Sequence, residues 1–312
     1  MLRGVTMYHN PVLLHESIDA LAIKADGVYV DATFGGGGHS RLILSRLNEK
    51  GRLLGFDQDK DSVQNKIDDN RFEFIGANFT HLTKFLKYHQ AYPVHGILAD
   101  LGVSSFQIDT PERGFSYRYD ATLDMRMNQR KELTAQEVVN SYSEEQLADI
   151  FFKYGELKNG RKIASLIKSG RAQTSIKTTE QLVKILEPIL FHGKENKILA
   201  QIFQAIRIEV NKELEVLESF LEQTVDALLP GGRLVIISYH SLEDRLVKKV
   251  MRSGNCSGKI EKDFFGNPLT PFKLITKKAI VADEAENIEN PRARSAKLRV
   301  AEKIDTKDEI NI

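Results

Sequence analysis

Between residues 27 and 100, short apolar runs alternate with amphipathic stretches of helical length. "GVYVDATF", "GRLLGFD", "RFEFIGANF" and "VHGILADLG" predict strands over 28–33, 52–57, 72–76 and 95–100. The segments near 39–49, 59–68 and 79–90 predict helices between them. Strands spaced by helices build βαβ units and a parallel sheet. The alternation then stops, and from about 133 to 229 the pattern is helical. "TAQE" (134–137), "SEEQ" (143–146) and "TTEQ" (178–181) have the spacing of a capping box, in which a hydroxyl satisfies a free helical N–H. "NKILAQIFQAIRIEVNKELEVLESFLEQTVDALL" reads as one long periodic helix. "PGG" (230–232) ends it, "RLVIIS" (233–238) resumes a strand, and "FKLITKK" (272–278) and "AKLRVAEK" (296–303) predict two more. The economical fold is α/β: a Rossmann-like sheet over 1–108 and 211–312, split by a helical insertion at 109–210.

Composition narrows the class. The 312 residues are 41% hydrophobic and 28% charged, as in ordinary soluble globular proteins. A formal charge of +1 gives no global field for a polyanion, so any nucleic-acid surface must be local. Three basic clusters qualify: "KNGRKIASLIKSGR" (158–171), "RLVKKVMR" (245–252) and "PRARSAKLR" (291–299). Such runs are usually solvated surface. Cys256 is the sole cysteine, which rules out an intrachain disulfide or a cysteine-cluster zinc site and fits a reducing cytoplasm. "MLRGVTMYHN" lacks the apolar core of a signal peptide, and no stretch approaches the ~20 apolar residues of a membrane span. Met7 is an alternative start. No metal-ligand spacing stands out, and metal dependence stays open.

The loop "FGGGGHS" carries the first chemistry. A P-loop needs a lysine where His39 stands, and a dinucleotide fingerprint needs a glycine where Ser40 stands. Yet Asp57 ends the second strand, 22 residues after Gly35, where a carboxylate can accept from ribose hydroxyls. Asn78 and Phe79 follow the third strand, offering an amide and a ring to a purine, and Asp100 ends the fourth. Singly, each aspartate reads as a helix cap or a solvated turn. Together they mark the carboxyl edge of the sheet, where such folds bind ligands.

"LLPGGRLVIIS" resembles the segment leading into the fifth strand of class I S-adenosylmethionine-dependent methyltransferases. Asp31, Gly35–Gly38, Asp57 and Asn78–Phe79 likewise resemble their cofactor loops. A narrower likeness runs through "HNPVLLHES" (9–17), "DATFGGGGHSRLIL" (31–44), "DLGVSSFQID" (100–109) and "RGFSYRYDATLDMRM" (113–127). It continues in "FQAIRIEVNKEL" (203–214), "ISYHSLEDRLVK" (237–248) and "NPRARSAKLR" (290–299). These blocks, in this order, closely resemble the ribosomal RNA small subunit methyltransferase H (RsmH, MraW) family. The resemblance implies N4 methylation of a decoding-centre cytosine of bacterial 16S rRNA, conventionally position 1402, on the small ribosomal subunit. It implies S-adenosyl-L-methionine as cofactor, contacted by Gly37, Gly38, His39, Asp57, Phe79, Asp100 and Gln107.

A cytosine amine is a weak nucleophile because its lone pair is conjugated, whereas a sulfonium methyl is already activated. Alignment, dehydration and an acceptor for the charge developing on nitrogen are therefore what the protein must supply. Asp100 is the first candidate acceptor, with Ser104 and Ser105 in the loop after it. His240 and Glu243 follow the fifth strand; the competing reading is a helix start with Ser241 as N-cap and Asp244 at its third position. "DLGVSSF" lacks the proline pair of many amino-methylating DNA enzymes, which leaves Phe106 and Tyr239 as candidates for stacking on the base. In "LDMRM" the methionines read as apolar anchors and Arg126 as solvated or ion-paired; a substrate role there rests on the resemblance. Alternatives are methylation of another RNA or of DNA, a nicotinamide-dependent oxidoreductase, and a non-catalytic RNA-binding or ribosome-assembly protein. The oligomeric state stays open, a homodimer included.

Overall fold

The computed structural model describes residues 11–305, so Met7 and the first two residues of "HNPVLLHES" lie outside the described residues. The chain divides into two compact units. One takes residues up to Gly102 and from Glu215 onward, the other Val103–Leu214. The first unit begins α1 (Leu14–Ala20), β1 (Val28–Asp31), α2 (Gly38–Arg46), β2 (Arg52–Phe56), β3 (Phe72–Ile75), α3 (Leu82–Tyr88) and β4 (Val94–Asp100). Residues 60–65, expected within a helix, form only a 3-10 turn. Asp59 caps it by accepting from Asp61 N, and a stretch rich in Asp, Ser and Asn has little intrinsic helix preference.

The second unit holds α4 (Ser105–Asp109), α5 (Ala135–Ser141), α6 (Glu144–Lys153), α7 (Gly160–Gln173), α8 (Thr179–Leu186) and α9 (Glu195–Asn211). All three expected capping boxes form, at Thr134/Glu137, Ser143/Gln146 and Thr178/Gln181. Leu147, Ile150 and Phe151 of α6, Ile163, Ala164 and Ile167 of α7 and Leu182 and Leu186 of α8 share one apolar core. That spacing is the buried stripe of an amphipathic helix. In "LDMRM", Met125 and Met127 are buried anchors and Arg126 is ion-paired to Asp124.

The expected single helix over 196–229 is two helices, α9 and α10 (Glu213–Ala227), separated by Lys212 at φ 55°. Asn211 and Lys212 are held sideways there. Asn211 bonds the backbone of Met125 and Met127, and Lys212 Nζ reaches Glu209 at 2.6 Å. Tertiary bonding overrides a sequence made of good helix formers. The chain then completes the first unit with β5 (Leu228–Ser238), α11 (Ser241–Ser253), β6 (Glu261–Lys262), β7 (Pro268–Leu269), β8 (Phe272–Leu274), α12 (Glu284–Glu289) and β9 (Lys297–Lys303). Leu228 already pairs with Val94, and the "PGG" turn bulges out before Arg233 rejoins opposite Gly96. β8 stops short of residue 278 because Thr276 turns its hydroxyl to accept from Val300 N, while Ile275 N and Thr276 N both donate to Val300 O.

The sheet order is β3-β2-β1-β4-β5-β9-β8. The first five strands are parallel, and β9 runs antiparallel between β5 and β8. Leu53, Leu54 and Phe56 of β2 and Ile97, Leu98 and Ala99 of β4 are buried as unbroken runs, the pattern of strands covered on both faces. This is the expected α/β, Rossmann-like class I methyltransferase sheet. Strand order reverses between β1 and β4, the switch point at which such sheets open a crevice at their carboxyl edge.

Candidate active site

The site in the sheet unit is built on the carboxyl ends of β1, β2, β4 and β5. After β1 the chain makes a tight turn in which Gly37 N donates to Phe34 O at 2.7 Å, and Gly37 then caps α2. Gly35 and Gly37 take φ +51° and +77°, which side chains other than glycine adopt at a cost. A Cβ on Gly37 would lie 2.9 Å from the Phe34 ring, and one on Gly38 would lie 2.2 Å from Pro11 Cγ. These two glycines are thus demanded by the protein's own packing. At Gly35 a Cβ would meet only Thr33 O, at 3.9 Å, so open space borders the loop there.

Three carboxylates surround this turn. Asp31, buried, accepts from Ser40 Oγ at 2.7 Å and Thr33 N at 3.1 Å. Asp57 accepts from Gly35 N at 2.9 Å through Oδ2 and from Asp59 N at 2.8 Å through Oδ1. The glycine loop and the second strand end are thereby locked together. Each Asp57 oxygen retains a lone pair for a further donor, as a ribose hydroxyl would be. Asp100 N donates to Thr33 Oγ1 at 2.6 Å, and Tyr239 donates its hydroxyl to Asp100 Oδ1 at 2.8 Å.

Burial lifts the pKa of all three to about 6, against the hydrogen bonds that each accepts. For Asp100 the charges of Asp31 and Glu243 add to the lift, and the Tyr239 hydroxyl and His39 oppose it. His39 is buried at the start of α2 with Nε2 3.3 Å from Val12 O. Burial pushes its pKa down, against the Asp100 charge and the bond to Val12 O, which pull it up. The Tyr239 phenol is driven well up by burial and by Asp100, which keeps its proton in place as the donor.

Gly37, Gly38, His39, Asp57 and Asp100 therefore meet at one sheet edge. Phe79 stands just past β3 with its ring 4.8 Å from that of Phe220, on a turn capped by Asn78. Asn78 also donates to Gln58 at 2.8 Å, so its amide is partly used inside the protein.

His240 is the N-cap of α11 and Glu243 its third residue, one position earlier than the Ser241/Asp244 reading. The shift arises because Glu243 Oε2 accepts from both Tyr239 N (2.9 Å) and His240 N (3.3 Å). Asp244 is instead gripped by Arg299. His240 Nδ1 accepts from Glu243 N, and its buried Nε2 lies 3.2 Å from Glu243 Oε1.

Ser104, Ser105, Phe106 and Gln107 lie in the helical unit, as α4 and its cap. Ser104 Oγ accepts from Gln107 N, and Gln107 Oε1 accepts from Ser104 N. Two of the four candidate groups there are therefore holding a helix start. Phe106 is half exposed, whereas the Tyr239 ring is anchored through its hydroxyl. Residue spacing gave no signal for the Tyr239–Asp100 bond, since 139 residues separate the partners.

Among the described residues, no helix is long and apolar enough to cross a membrane. Residues 6–304 match the family described as the MraW methylase family. The chain is 58% identical over 298 residues to the ribosomal RNA small subunit methyltransferase H of Bacteroides fragilis, covering 96% of this chain and 98% of that one. It is 58% identical over 296 residues to the protein of the same name from Bacteroides thetaiotaomicron, covering 95% and 97%. The counterpart in Phocaeicola vulgatus is 55% identical over 303 residues, covering 97% and 100%. With the family match running through both units and the glycine turn, Asp57 and Asp100 gathered at one sheet edge, the chain belongs to the MraW methylase family.

Proposed function

We propose that this protein methylates 16S rRNA of the small ribosomal subunit, on the N4 amine of a decoding-centre cytosine, conventionally position 1402. The observation that carries the reading is the near full-length match to small-subunit rRNA methyltransferases, joined to a raised, hydrogen-bonded carboxyl at the end of β4. Its cofactor is S-adenosyl-L-methionine, which supplies an activated methyl group when bound. The Gly35–Gly38 turn and Asp57 suit the amino-acid and ribose parts of that molecule, and Phe79 suits its base.

The chain's own residues then have distinct tasks. Tyr239 occupies Asp100 Oδ1, leaving Oδ2 as the acceptor for an amine N–H. At neutral pH Asp100, with a pKa of about 6, is largely ionised. It accepts that hydrogen bond, steadies the charge that grows on nitrogen, and is basic enough to take the proton afterwards. His39 helps hold the loop against Val12. His240 and Glu243 fix the start of α11 beside Tyr239, which supports a positioning task for His240.

The test is nucleoside mass spectrometry after incubation with S-adenosylmethionine and small subunits lacking the modification, with deproteinised 16S rRNA alongside. N4-methylcytidine mapped to the decoding-centre cytosine is the expected result. Cofactor binding without any methylated cytosine in either substrate overturns the assignment.

A further inference from the structure

The basic run 245–252 and Arg299, the last residue of the run 291–299, meet at one groove on the sheet unit, and of these only Arg299 has a part in the site above, holding Asp244. Arg245, Lys248, Lys249 and Arg252 recur at three- and four-residue intervals, which places them on one face of α11. The opposite face is apolar and buried through Leu242, Leu246, Val247 and Val250. Lys277, beyond β8, and Arg299, on β9, face them across a cavity of about 330 Å³ that no carboxylate lines.

Arg299 is neutralised by Asp244, which leaves Lys248, Lys249, Arg252 and Lys277 as exposed cations of the groove. Lys248, Lys249, Arg252 and Lys277 are exposed and, among the described residues, enter no ion pair. Like charges four residues apart on a helix repel. A row kept in that state suits an external anion with repeated charges. The unpaired row from Lys248 to Arg252 spans about 6 Å of helix axis at ~1.5 Å per residue, and Lys277 extends the cationic lining across the groove.

The β6–β7 hairpin leaves the rim of this groove three residues after Gly258 and returns to β8 and Leu274. Its tip carries Phe264 and Phe265, 97% and 85% exposed. Two bare rings on a tight turn, beside a cationic track, are the parts from which single-stranded nucleic acid platforms are built.

We infer that the groove between α11 and β8–β9 holds the phosphodiester backbone of the RNA substrate, with Phe264 and Phe265 stacking on unpaired bases at its rim; the inference rests on the rRNA reading above. The phosphate contacts position the RNA and leave the chemistry at Asp100 untouched.

The experiment uses the full chain, a Lys248→Ala/Lys249→Ala/Arg252→Ala triple variant, the matching Arg252→Lys and Lys→Arg conservative set, and a Phe264→Ala/Phe265→Ala pair. Binding to deproteinised 16S rRNA and to small subunits is measured across a salt series, with inorganic phosphate as competitor. In the triple variant, affinity for both falls about tenfold or more at low salt, and the slope of log K against log salt becomes shallower by about two. KM for subunits rises while kcat and cofactor titration hold, and the conservative set restores binding. The phenylalanine pair weakens affinity and keeps the slope. An unchanged slope and KM in the triple variant overturn the inference. So does a loss confined to subunits, which would assign the groove to a ribosomal protein, or a loss of phosphate binding alone, which would make it a small-anion site. Absence of methylated cytidine with the wild-type chain would sink the rRNA methylation reading, while the binding comparison still decides the groove.

Discussion

The Tyr239 hydroxyl donates to Asp100 Oδ1 at 2.8 Å, tying together the carboxyl ends of two adjacent parallel strands, β5 and β4. This bond lowers a carboxyl pKa that burial has raised to about 6. In Tyr239→Phe the pKa of Asp100 rises further, so the acid limb of the kcat profile moves to higher pH. Loss of the bond costs roughly 1 kcal/mol of stability. A pH–rate profile on small subunits and an unfolding titration check the two effects separately; an acid limb that stays in place contradicts the coupling.

Asp100→Asn keeps the shape and removes the basic oxygen. Single-turnover methyl transfer should fall by about 10²-fold or more, the scale of a lost general base or charge-stabilising acceptor. Cofactor titration should change far less. Undiminished transfer would remove Asp100 from the chemistry.

Asp31 makes stability depend on pH in a defined direction. Its folded pKa, about 6, lies above the ordinary 3.8 because burial disfavours the charge. Between those values the folded chain holds a proton that the unfolded chain has released. The stability from this group is full below about 3.8 and is lost as pH rises through about 6. Asp31→Asn removes that dependence, so urea unfolding should show the variant gaining on wild type between about pH 4 and pH 7. A constant difference across that range rejects the assignment.

Gly37→Ala forces a side chain into φ +77° and against the Phe34 ring, 2.9 Å away. The left-handed conformation alone costs about 1–2 kcal/mol, and the clash adds to it. A lower melting temperature and weaker cofactor binding are expected together, read by thermal unfolding and calorimetry.

In the helical unit, Asn211 is the corresponding weak point. Its amide accepts from Met127 N and donates to Met125 O, both at 2.8 Å. Asn211→Ala leaves two buried backbone groups without their partner and should cost roughly 2–4 kcal/mol. Denaturant unfolding measures that loss; a change below about 0.5 kcal/mol would mean the "LDMRM" segment is held by something else.

Much of this protein was legible before the structure because the relevant physics is local. The alternation of apolar runs with amphipathic stretches marks β1 to β4, and a Ser or Thr three residues before Glu or Gln marks the starts of α5, α6 and α8. Glycines and aspartates at strand ends mark the crevice, since an open parallel sheet presents its carboxyl edge to ligands whatever the chain does elsewhere. Boundaries were less legible. Insertion limits at 109 and 210 became 103 and 214, because α4 belongs with the helical unit and the helix break falls at Lys212.

By itself, then, the sequence determined the strands of the sheet, the helical insertion, the glycine turn and the identity of its carboxylates, because hydrophobic periodicity, capping spacing and glycine clusters are local patterns. Only the tertiary structure decided that Asp100 is gripped by Tyr239 and that the cap of α11 is His240. It alone broke the long helix at Asn211–Lys212 and brought basic runs around residues 248 and 299 to one groove. The Asp100–Tyr239, Asn211–Met125 and Asp244–Arg299 bonds join partners 55 to 139 residues apart in the chain, and burial raises the Asp100 pKa; neither is encoded in any local pattern.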